Sequence, residues 1–364
     1  MYRRFGKTEG EKGSPLYGRI AIALSESDEA LRVIEAGPAR RRHPTLVLAA
    51  LHDLALAGQS PALAAALEAS SASKLAAPVA PHRGVAGGDG ARSVAEVAVE
   101  VMAETGELVL ERVAGRKVRG DEGGRHAVLY PAVAEVARRV GTGAVGLVDV
   151  GRAAGLNLVV DQVGISYGNG PVLGAADSAA QVSASVVGDG LLPSAPVPEV
   201  VARVAVGDEL VDVTNADEAR WLRACLPPDQ VERSARLQAE VALAAADPPE
   251  MVRGAVVDVL PEAIARVPDG VLPVVMTTWV LSSLGLEERL RFLQRLDEAA
   301  TRRPVAWVSV EGVGVAPGVP TYGDRKASGH SILGVSVFKH SSLHATGVGR
   351  CWLRGEMLAW FADA

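Results

Sequence analysis

An acid and two glycines in residues 147–158, LVDVGRAAGLNL, have a spacing that suits a ligand-binding turn. Asp149 stands two residues before Gly151, and Gly155 follows four residues later. A glycine allows a tight backbone turn and lets a ligand approach the main chain closely. If a helix begins there, its unpaired N–H groups face the same ligand. The turn lacks the middle glycine of the G-x-G-x-x-G motif, which disfavours a nicotinamide-dependent enzyme.

The D-x-G-x-x-x-G pattern of this turn resembles the first motif of class I S-adenosylmethionine (SAM)-dependent methyltransferases. The resemblance implies that SAM is the cofactor and that its methionyl and ribose parts lie against the turn. The cofactor-binding residues expected here are Asp149, Gly151, Arg152, Ala153, Gly155 and Asn157. A plain connection between a strand and a helix, in a chain rich in Gly and Ala, is the alternative interpretation.

Later strand ends supply further polar residues for a cofactor. Asp208, in VAVGDEL, follows the second predicted strand and suits the ribose hydroxyls, with a solvated turn aspartate as the alternative. Asp258, in VRGAVVDVLPEAI, resembles the methyltransferase acid that lies near the adenine, with helix N-capping as the alternative. Thr277, at the end of the fourth predicted strand, completes the expected cofactor-binding set.

Substrate-binding residues are expected in two places. Thr278 and Trp279 end the fourth predicted strand, where methyltransferases contact their substrates, although Trp279 also suits a core position. Glu122 and Arg125 stand three residues apart at the start of a helix that leads into the first strand, so they share a helix face. Two interpretations of these charges are open: they form a wall of the site, or they form an ion pair on the surface.

Two side chains are candidates for a catalytic base. Methyl transfer needs mainly an aligned nucleophile and sometimes a base. Glu311, at the end of the fifth predicted strand, and His330 are the candidates, and a solvated loop carboxylate is the alternative role of Glu311. The histidines and cysteines have no metal-binding spacing, and no P-loop motif occurs.

The segments around these residues predict an α/β protein. Residues 1–140 have apolar residues at helical spacing and predict a helical N-terminal cap, with a loop at residues 70–91. From residue 144, β-rich runs alternate with helical segments, which predicts a Rossmann-like, class I methyltransferase-like, mainly parallel sheet over residues 141–364. Residues 164–200 predict a β-rich insert between the first two strands.

Composition limits the class of protein. Of the 364 residues, 48% are hydrophobic and 22% are charged, which predicts a globular protein with a sizeable core. A net charge of −6 disfavours a nucleic-acid partner. Two isolated cysteines fit a reducing cytosol, and no segment resembles a signal peptide or a membrane span. We therefore expect a cytoplasmic protein with a small-molecule substrate and no membrane partner, in an oligomeric state that the sequence leaves open.

Several segments together resemble the uncharacterised bacterial family catalogued as domain of unknown function 2332. They are SPLY, RGDEGGRHAVLYPAVA, LVDVGRAAGLNLVVDQVGISYG, DVTNADEARWLRACLPPDQVERSARLQ, VRGAVVDVLPE and WVSVEGVG. The resemblance implies a helical portion joined to a methyltransferase-like sheet. This chain departs from the family pattern at several polar positions: Thr277 replaces a histidine, Val310 replaces the asparagine of N-E-G, and Ala255 replaces the aspartate of G-D-A.

Two hypotheses of different classes follow. The first is a SAM-dependent methyltransferase that acts on an oxygen or nitrogen acceptor of a small molecule. The second is a repurposed protein of the same fold that binds SAM or a partner without methyl transfer, which the lost family residues favour. A ligand retained on purification would separate them.

Overall fold

The computed structural model describes residues 1–75, 92–120, 123–151, 154–168 and 170–361. The chain divides into two compact units, Met1–Asp121 with Asn215–Ala235, and Glu122–Thr214 with Arg236–Ala364. These bounds differ from the predicted split at residues 140 and 141, because the last predicted N-terminal helix belongs to the second unit. The chain also returns to the first unit at residue 215.

The helices and strands of the described residues are given in chain order. The α-helices are α1 (Tyr2–Lys12), α2 (Pro15–Leu24), α3 (Asp28–Ala36), α4 (Pro44–Leu56), α5 (Pro61–Leu75), α6 (Val94–Gly115), α7 (His126–Val140), α8 (Ala216–Ala224), α9 (Val231–Ala246), α10 (Val256–Ala265) and α11 (Leu286–Ala299). The strands are β1 (Ala144–Val150), β2 (Gly164–Tyr167), β3 (Val172–Gly174), β4 (Gln181–Val186), β5 (Glu199–Gly207), β6 (Glu250–Arg253), β7 (Leu272–Thr278), β8 (Val305–Gly312), β9 (Ser331–Lys339), β10 (Ser342–Trp352) and β11 (Met357–Trp360).

The first unit is helical, which confirms the prediction for the N-terminal region. Helix α2 begins where the Ser14 hydroxyl accepts a hydrogen bond from the Tyr17 N–H, and Pro15 occupies the first helical position. The apolar faces of α2, α4 and α6 form one core that includes Leu16, Leu48 and Met102. The predicted loop at residues 70–91 begins later than expected, since α5 continues to Leu75, and residues 76–91 lie outside the described residues.

The apolar spacing over residues 217–246 predicts one long helix between β5 and β6, and this prediction is wrong, because the segment forms two helices, α8 and α9. Pro227 and Pro228 separate them. A proline lacks the N–H that a helix needs and also disfavours helical geometry at the preceding residue. Cys225 ends α8 and is buried, as expected, and burial raises the pKa of its thiol to about 11.

The second unit contains an eleven-stranded mixed sheet in the order β3-β2-β4-β11-β10-β9-β8-β7-β1-β5-β6. Strands β8, β7, β1, β5 and β6 are parallel to their neighbours in this run. Strands β9, β10 and β11 continue it in antiparallel fashion. The predicted insert forms β2, β3 and β4, and β4 pairs with β11. The predicted α/β class, with a mostly parallel sheet and a helical N-terminal region, is therefore confirmed.

The order of strands reverses at β1. The chain first leaves β1 towards β5 and β6, and later returns to place β7 and β8 on its other side. The carboxyl ends of β1 and β7 therefore flank a topological switch point, where open α/β sheets bind ligands. Val148 and Val150 belong to the core under α10 and α11. By the alternation of a strand, Asp149 points to the opposite face.

Two connections around the sheet differ from the prediction. The helix expected after β1 is a 3₁₀-helix, Leu156–Gln162, which runs almost directly into β2 and leaves no room for a longer helix. The strand expected over residues 250–259 ends at Arg253, and α10 begins at Val256. The buried Leu260, Ala263 and Ile264 have helical spacing, which explains this earlier start.

The length and hydrophobicity of the α-helices bear on whether one of them could cross a membrane. Within the part of the chain that the structure describes, no single helix is long and apolar enough to cross a membrane. The pair Pro44–Leu56 and Pro61–Ser71 passes by length and composition when the two helices are taken together, and it is bent by 105°.

Candidate functional site at the carboxyl ends of the parallel strands

A buried polar network joins the ends of β1 and β7. The Asn157 side-chain amide donates to Asp149 Oδ1 at 3.0 Å and to Thr278 Oγ1 at 3.2 Å. The exposed fraction of each of the three residues is 1% or less. One amide therefore bridges the switch point, and it brings together three residues that the sequence assigned to cofactor or substrate.

The two glycines of the turn after β1 adopt left-handed backbone conformations, with φ of +70° at Gly151 and +60° at Gly155. A Cβ on Gly151 would collide with the Val280 side chain. A Cβ on Gly155 would lie 3.2 Å from Leu158 Cδ1. Protein atoms thus face both glycines on the side where a Cβ would stand, so backbone geometry and packing already require glycine here. Arg152 and Ala153, predicted to bind the cofactor, lie outside the described residues.

Trp279 follows β7 in a strained conformation. Its φ of +52° is unusual for a bulky residue. The indole N–H donates to Ser331 Oγ at 2.7 Å, and the backbone N–H donates to the Val310 carbonyl at 2.8 Å. The Arg125 guanidinium lies 5.6 Å from the centre of a Trp279 ring. The structure therefore brings together two predicted substrate-binding residues, and backbone strain of this kind is frequent at functional sites. Glu122 lies outside the described residues.

Glu311 and Thr277 are buried, and each has a protein partner. Glu311 Oε1 accepts hydrogen bonds at 3.1 Å from the backbone N–H groups of Val280 and Leu281. Thr277 Oγ1 accepts from the Trp307 indole N–H at 3.0 Å. Glu311 therefore holds the turn that follows β7, and the Thr277 hydroxyl stabilises the pairing of β7 with β8.

His330 belongs to a polar cluster beside the start of β9. Its Nε2 lies 2.9 Å from Asp324 Oδ2, and Arg350 donates to both oxygens of the same carboxylate at 2.6 and 3.0 Å. The Arg350 hydrogen bond, with a smaller contribution from His330, holds the pKa of Asp324 below its usual value. An ionised carboxylate beside an imidazole fixes the orientation of the ring, which is an arrangement used for general bases.

Sequence reasoning missed a second buried pair of titratable groups. His126 Nε2 lies 3.3 Å from Glu240 Oε1, and both side chains are at most 1% exposed. The Gly124 N–H donates to the same Glu240 oxygen at 3.0 Å. The signal in the sequence was an acid on the apolar face of α9, since Glu240 has helical spacing to the buried Leu237 and Ala244.

Comparison with known proteins places the chain in a family. The sequence profile described as an uncharacterized protein conserved in bacteria, domain of unknown function 2332 (DUF2332), matches residues 1–360. The chain belongs to the DUF2332 family. No curated protein and no solved structure matched the chain.

The match covers both units of this DUF2332 protein. One segment that carried the resemblance supplies Asp149 and Asn157 to the network at the strand ends, and another supplies Glu311, which accepts from the turn after β7. Arg125, which belongs to the segment RGDEGGRHAVLYPAVA, lies against Trp279.

Of the two further acids predicted to bind the cofactor, Asp258 lies in a different context from the expected one and Asp208 does not. Asp258 was expected at a strand end, but it occupies the first turn of α10 and is exposed, where its charge favours the helix N-terminus. Ala255 is the N-cap of that helix, so the capping role proposed for Asp258 is also wrong. Asp208 is exposed and directly follows β5, as the sequence predicted. Among the residues that the structure describes, no group of three or more His, Cys, Asp or Glu could hold a metal ion.

Proposed function

We propose that this DUF2332 protein is a SAM-dependent methyltransferase that acts on a small molecule. The order β6-β5-β1-β7-β8 corresponds to the first five strands of a doubly wound nucleotide-binding sheet, in which ligands bind outside the carboxyl ends at the switch point. The observation that carries the proposal is the Asn157 amide, which ties Asp149 of β1 to Thr278 of β7 at that point.

The residues present fit such a ligand. Asn157 is 1% exposed, and its Oδ1 accepts no hydrogen bond from the residues that the structure describes. An unsatisfied buried acceptor costs about 1–3 kcal/mol, which a ligand donor would offset. SAM supplies an activated methyl group on a sulfonium sulfur. Asp149, Asn157 and Thr278 would bind the cofactor, while Arg125 and Trp279 would form the wall towards the acceptor.

The two predicted bases receive different roles in this proposal. An oxygen or nitrogen acceptor loses a proton when it is methylated, so a neighbouring imidazole is a suitable proton acceptor. His330 fits this role because Asp324 orients its ring. Glu311 acts through the backbone instead, since Val280 and Leu281 already donate to one of its oxygens. The net charge of −6 favours a small molecule over a nucleic acid as substrate.

The test has a binding step and a turnover step. Protein purified without added ligand is analysed by mass spectrometry for retained SAM or S-adenosylhomocysteine, and calorimetry then measures SAM affinity. Methyl-labelled SAM is next incubated with a bacterial small-molecule extract, and labelled products are identified. A labelled product that the His330→Gln variant no longer forms supports the proposal. A wild-type protein that does not bind SAM contradicts it.

The second candidate is binding of SAM without methyl transfer. The observation that favours it is at Thr277, which stands at a family histidine position and whose hydroxyl accepts from Trp307 within the sheet. A wild-type protein that binds SAM but labels nothing in extracts would support this second function over the first.

A further inference from the structure

The Asn157 side-chain amide differs at its two ends, because its nitrogen forms hydrogen bonds with described residues and its oxygen does not. Its Nδ2 donates to Asp149 and to Thr278, whereas Oδ1 accepts from none of the described residues. We infer that Asn157 Oδ1 accepts a hydrogen bond from the ammonium group at the amino-acid end of the bound ligand. This inference rests on the proposed function, and it names the part of the ligand that the residue recognises.

The hydrogen bonds fix which end of the amide is oxygen. If the amide were rotated by half a turn, its oxygen would face the Asp149 carboxylate oxygen that Nδ2 now contacts at 3.0 Å. Two acceptors would then repel each other, so the network selects the orientation in which nitrogen faces Asp149. Because the amide is planar, Oδ1 points away from Asp149 and Thr278, which accept the hydrogen bonds of Nδ2.

The charge beside Asn157 selects the kind of donor. Asp149 is fully buried, and its carboxylate oxygen lies 3.0 Å from the Asn157 nitrogen. A buried carboxylate and a carbonyl oxygen together create a negative potential, which favours a cationic donor over a neutral hydroxyl or amine. The cationic N–H donor of S-adenosylhomocysteine and of SAM is the ammonium of the amino-acid end. Adenine and ribose offer only neutral donors.

The recognition can be tested with three ligands that all carry a neutral thioether sulfur. They are S-adenosylhomocysteine, its decarboxylated analogue, which keeps the ammonium, and methylthioadenosine, which lacks the whole amino-acid end. Calorimetry with wild-type protein should give tighter binding of the two ammonium ligands than of methylthioadenosine. The decarboxylated analogue separates the contribution of the ammonium from that of the carboxylate.

The variant Asn157→Leu removes the Oδ1 acceptor, and with it the Nδ2 donor to Asp149 and Thr278, with little change in side-chain size, so methylthioadenosine serves as the control ligand for the loss of the donor. It should weaken binding of both ammonium ligands by about 10- to 100-fold, the range expected when a hydrogen bond to a charged group is lost. Binding of methylthioadenosine should stay within about twofold. Ser309→Ala is the matched control, since Ser309 is a fully buried polar residue of β8 whose hydroxyl has no partner among the described residues. It should leave all three affinities unchanged.

The outcomes separate this inference from the proposed function. If Asn157→Leu weakens all three ligands equally, or none of them, the inference is wrong while SAM binding stands. If wild-type protein binds methylthioadenosine as tightly as the decarboxylated analogue, the inference is also wrong, and this result does not depend on the variant folding. If wild-type protein binds none of the three ligands and no SAM, the proposed function fails and the inference fails with it.

Discussion

Two buried polar sites of this protein, one in each unit, differ in how fully they are hydrogen-bonded. In the helical unit, Asp53 is 1% exposed and accepts hydrogen bonds from the guanidinium groups of Arg112 and Arg220. In the second unit, Asn157 at the strand ends keeps a side-chain oxygen that accepts no hydrogen bond from the described residues. The buried charge of Asp53 has partners and belongs to the architecture, whereas the Asn157 oxygen without a described partner lies at the switch point, where open α/β sheets bind ligands. This contrast separates structural from candidate binding residues, and four experiments test it.

The largest effect is expected from Asp53→Ala in the helical unit. Removing one member of a buried ion pair leaves its partners uncompensated, so the free energy of unfolding should fall by about 3–5 kcal/mol. Asp217→Ala is the control, because Asp217 also contacts Arg220 but its side chain is 68% exposed. That change should cost at most about 1 kcal/mol. Urea denaturation measures both, and similar losses for the two variants would contradict the structural role of Asp53.

Gly151→Ala should have the next largest effect, in the sheet unit. A left-handed alanine costs about 1–2 kcal/mol, and forcing its Cβ against Val280 adds about 1–3 kcal/mol. Gly143→Ala is the control, since a Cβ there meets nothing within 4 Å. If packing contributes, a second change of Val280 to Ala should recover part of the loss in a double-mutant cycle. A cycle with no coupling would leave backbone strain as the whole cause.

Acid should weaken the helical unit through His52, which is 8% exposed and whose Nδ1 lies 3.2 Å from the Ala224 carbonyl. Burial lowers the pKa of His52 from 6.5 to about 4. Between these values the unfolded chain binds the proton and the folded chain does not, so stability is lost as pH falls from about 6.5 to 4. The loss attributable to this group is about 2 kcal/mol at pH 5. His52→Asn should remove that part of the pH dependence, and an unchanged dependence would contradict the assignment.

Local sequence patterns predicted much of this architecture. Apolar spacing gave the helices of the first unit, and β-rich runs gave β1, β5, β7 and β8, because both patterns report burial directly. The break between α8 and α9 was readable from Pro227 and Pro228 but was missed. The antiparallel β9, β10 and β11 were not predicted at all, although they pair across short connections, because the buried residues of β9 form a nearly continuous run and not an alternating pattern.

The candidate site could be predicted only in part. The sequence identified Asp149, Asn157 and Thr278, because strand ends in a parallel sheet meet at one edge. It did not show that one amide joins the other two side chains, since no local pattern specifies a contact across 121 positions. The pair of His126 and Glu240 depends likewise on the packing of the second unit. The sequence indicated the residue types and their positions at the strand ends, but it did not indicate the hydrogen bonds between them.

The smallest effect is expected at Glu311. This prediction tests whether a buried acid with hydrogen-bond partners has a structural role although it lies in the candidate site. Glu311→Gln keeps a carbonyl oxygen that can accept from the N–H groups of Val280 and Leu281, so stability should change by less than about 1 kcal/mol. Glu311→Ala leaves both donors without that acceptor and should cost about 1–3 kcal/mol. Once a labelled product is known, the methylation rate of Glu311→Gln should stay within about twofold of wild type. Each tenfold loss would correspond to about 1.4 kcal/mol of transition-state stabilisation, so a fall of that size with unchanged SAM affinity would make Glu311 the base and remove the role assigned to His330.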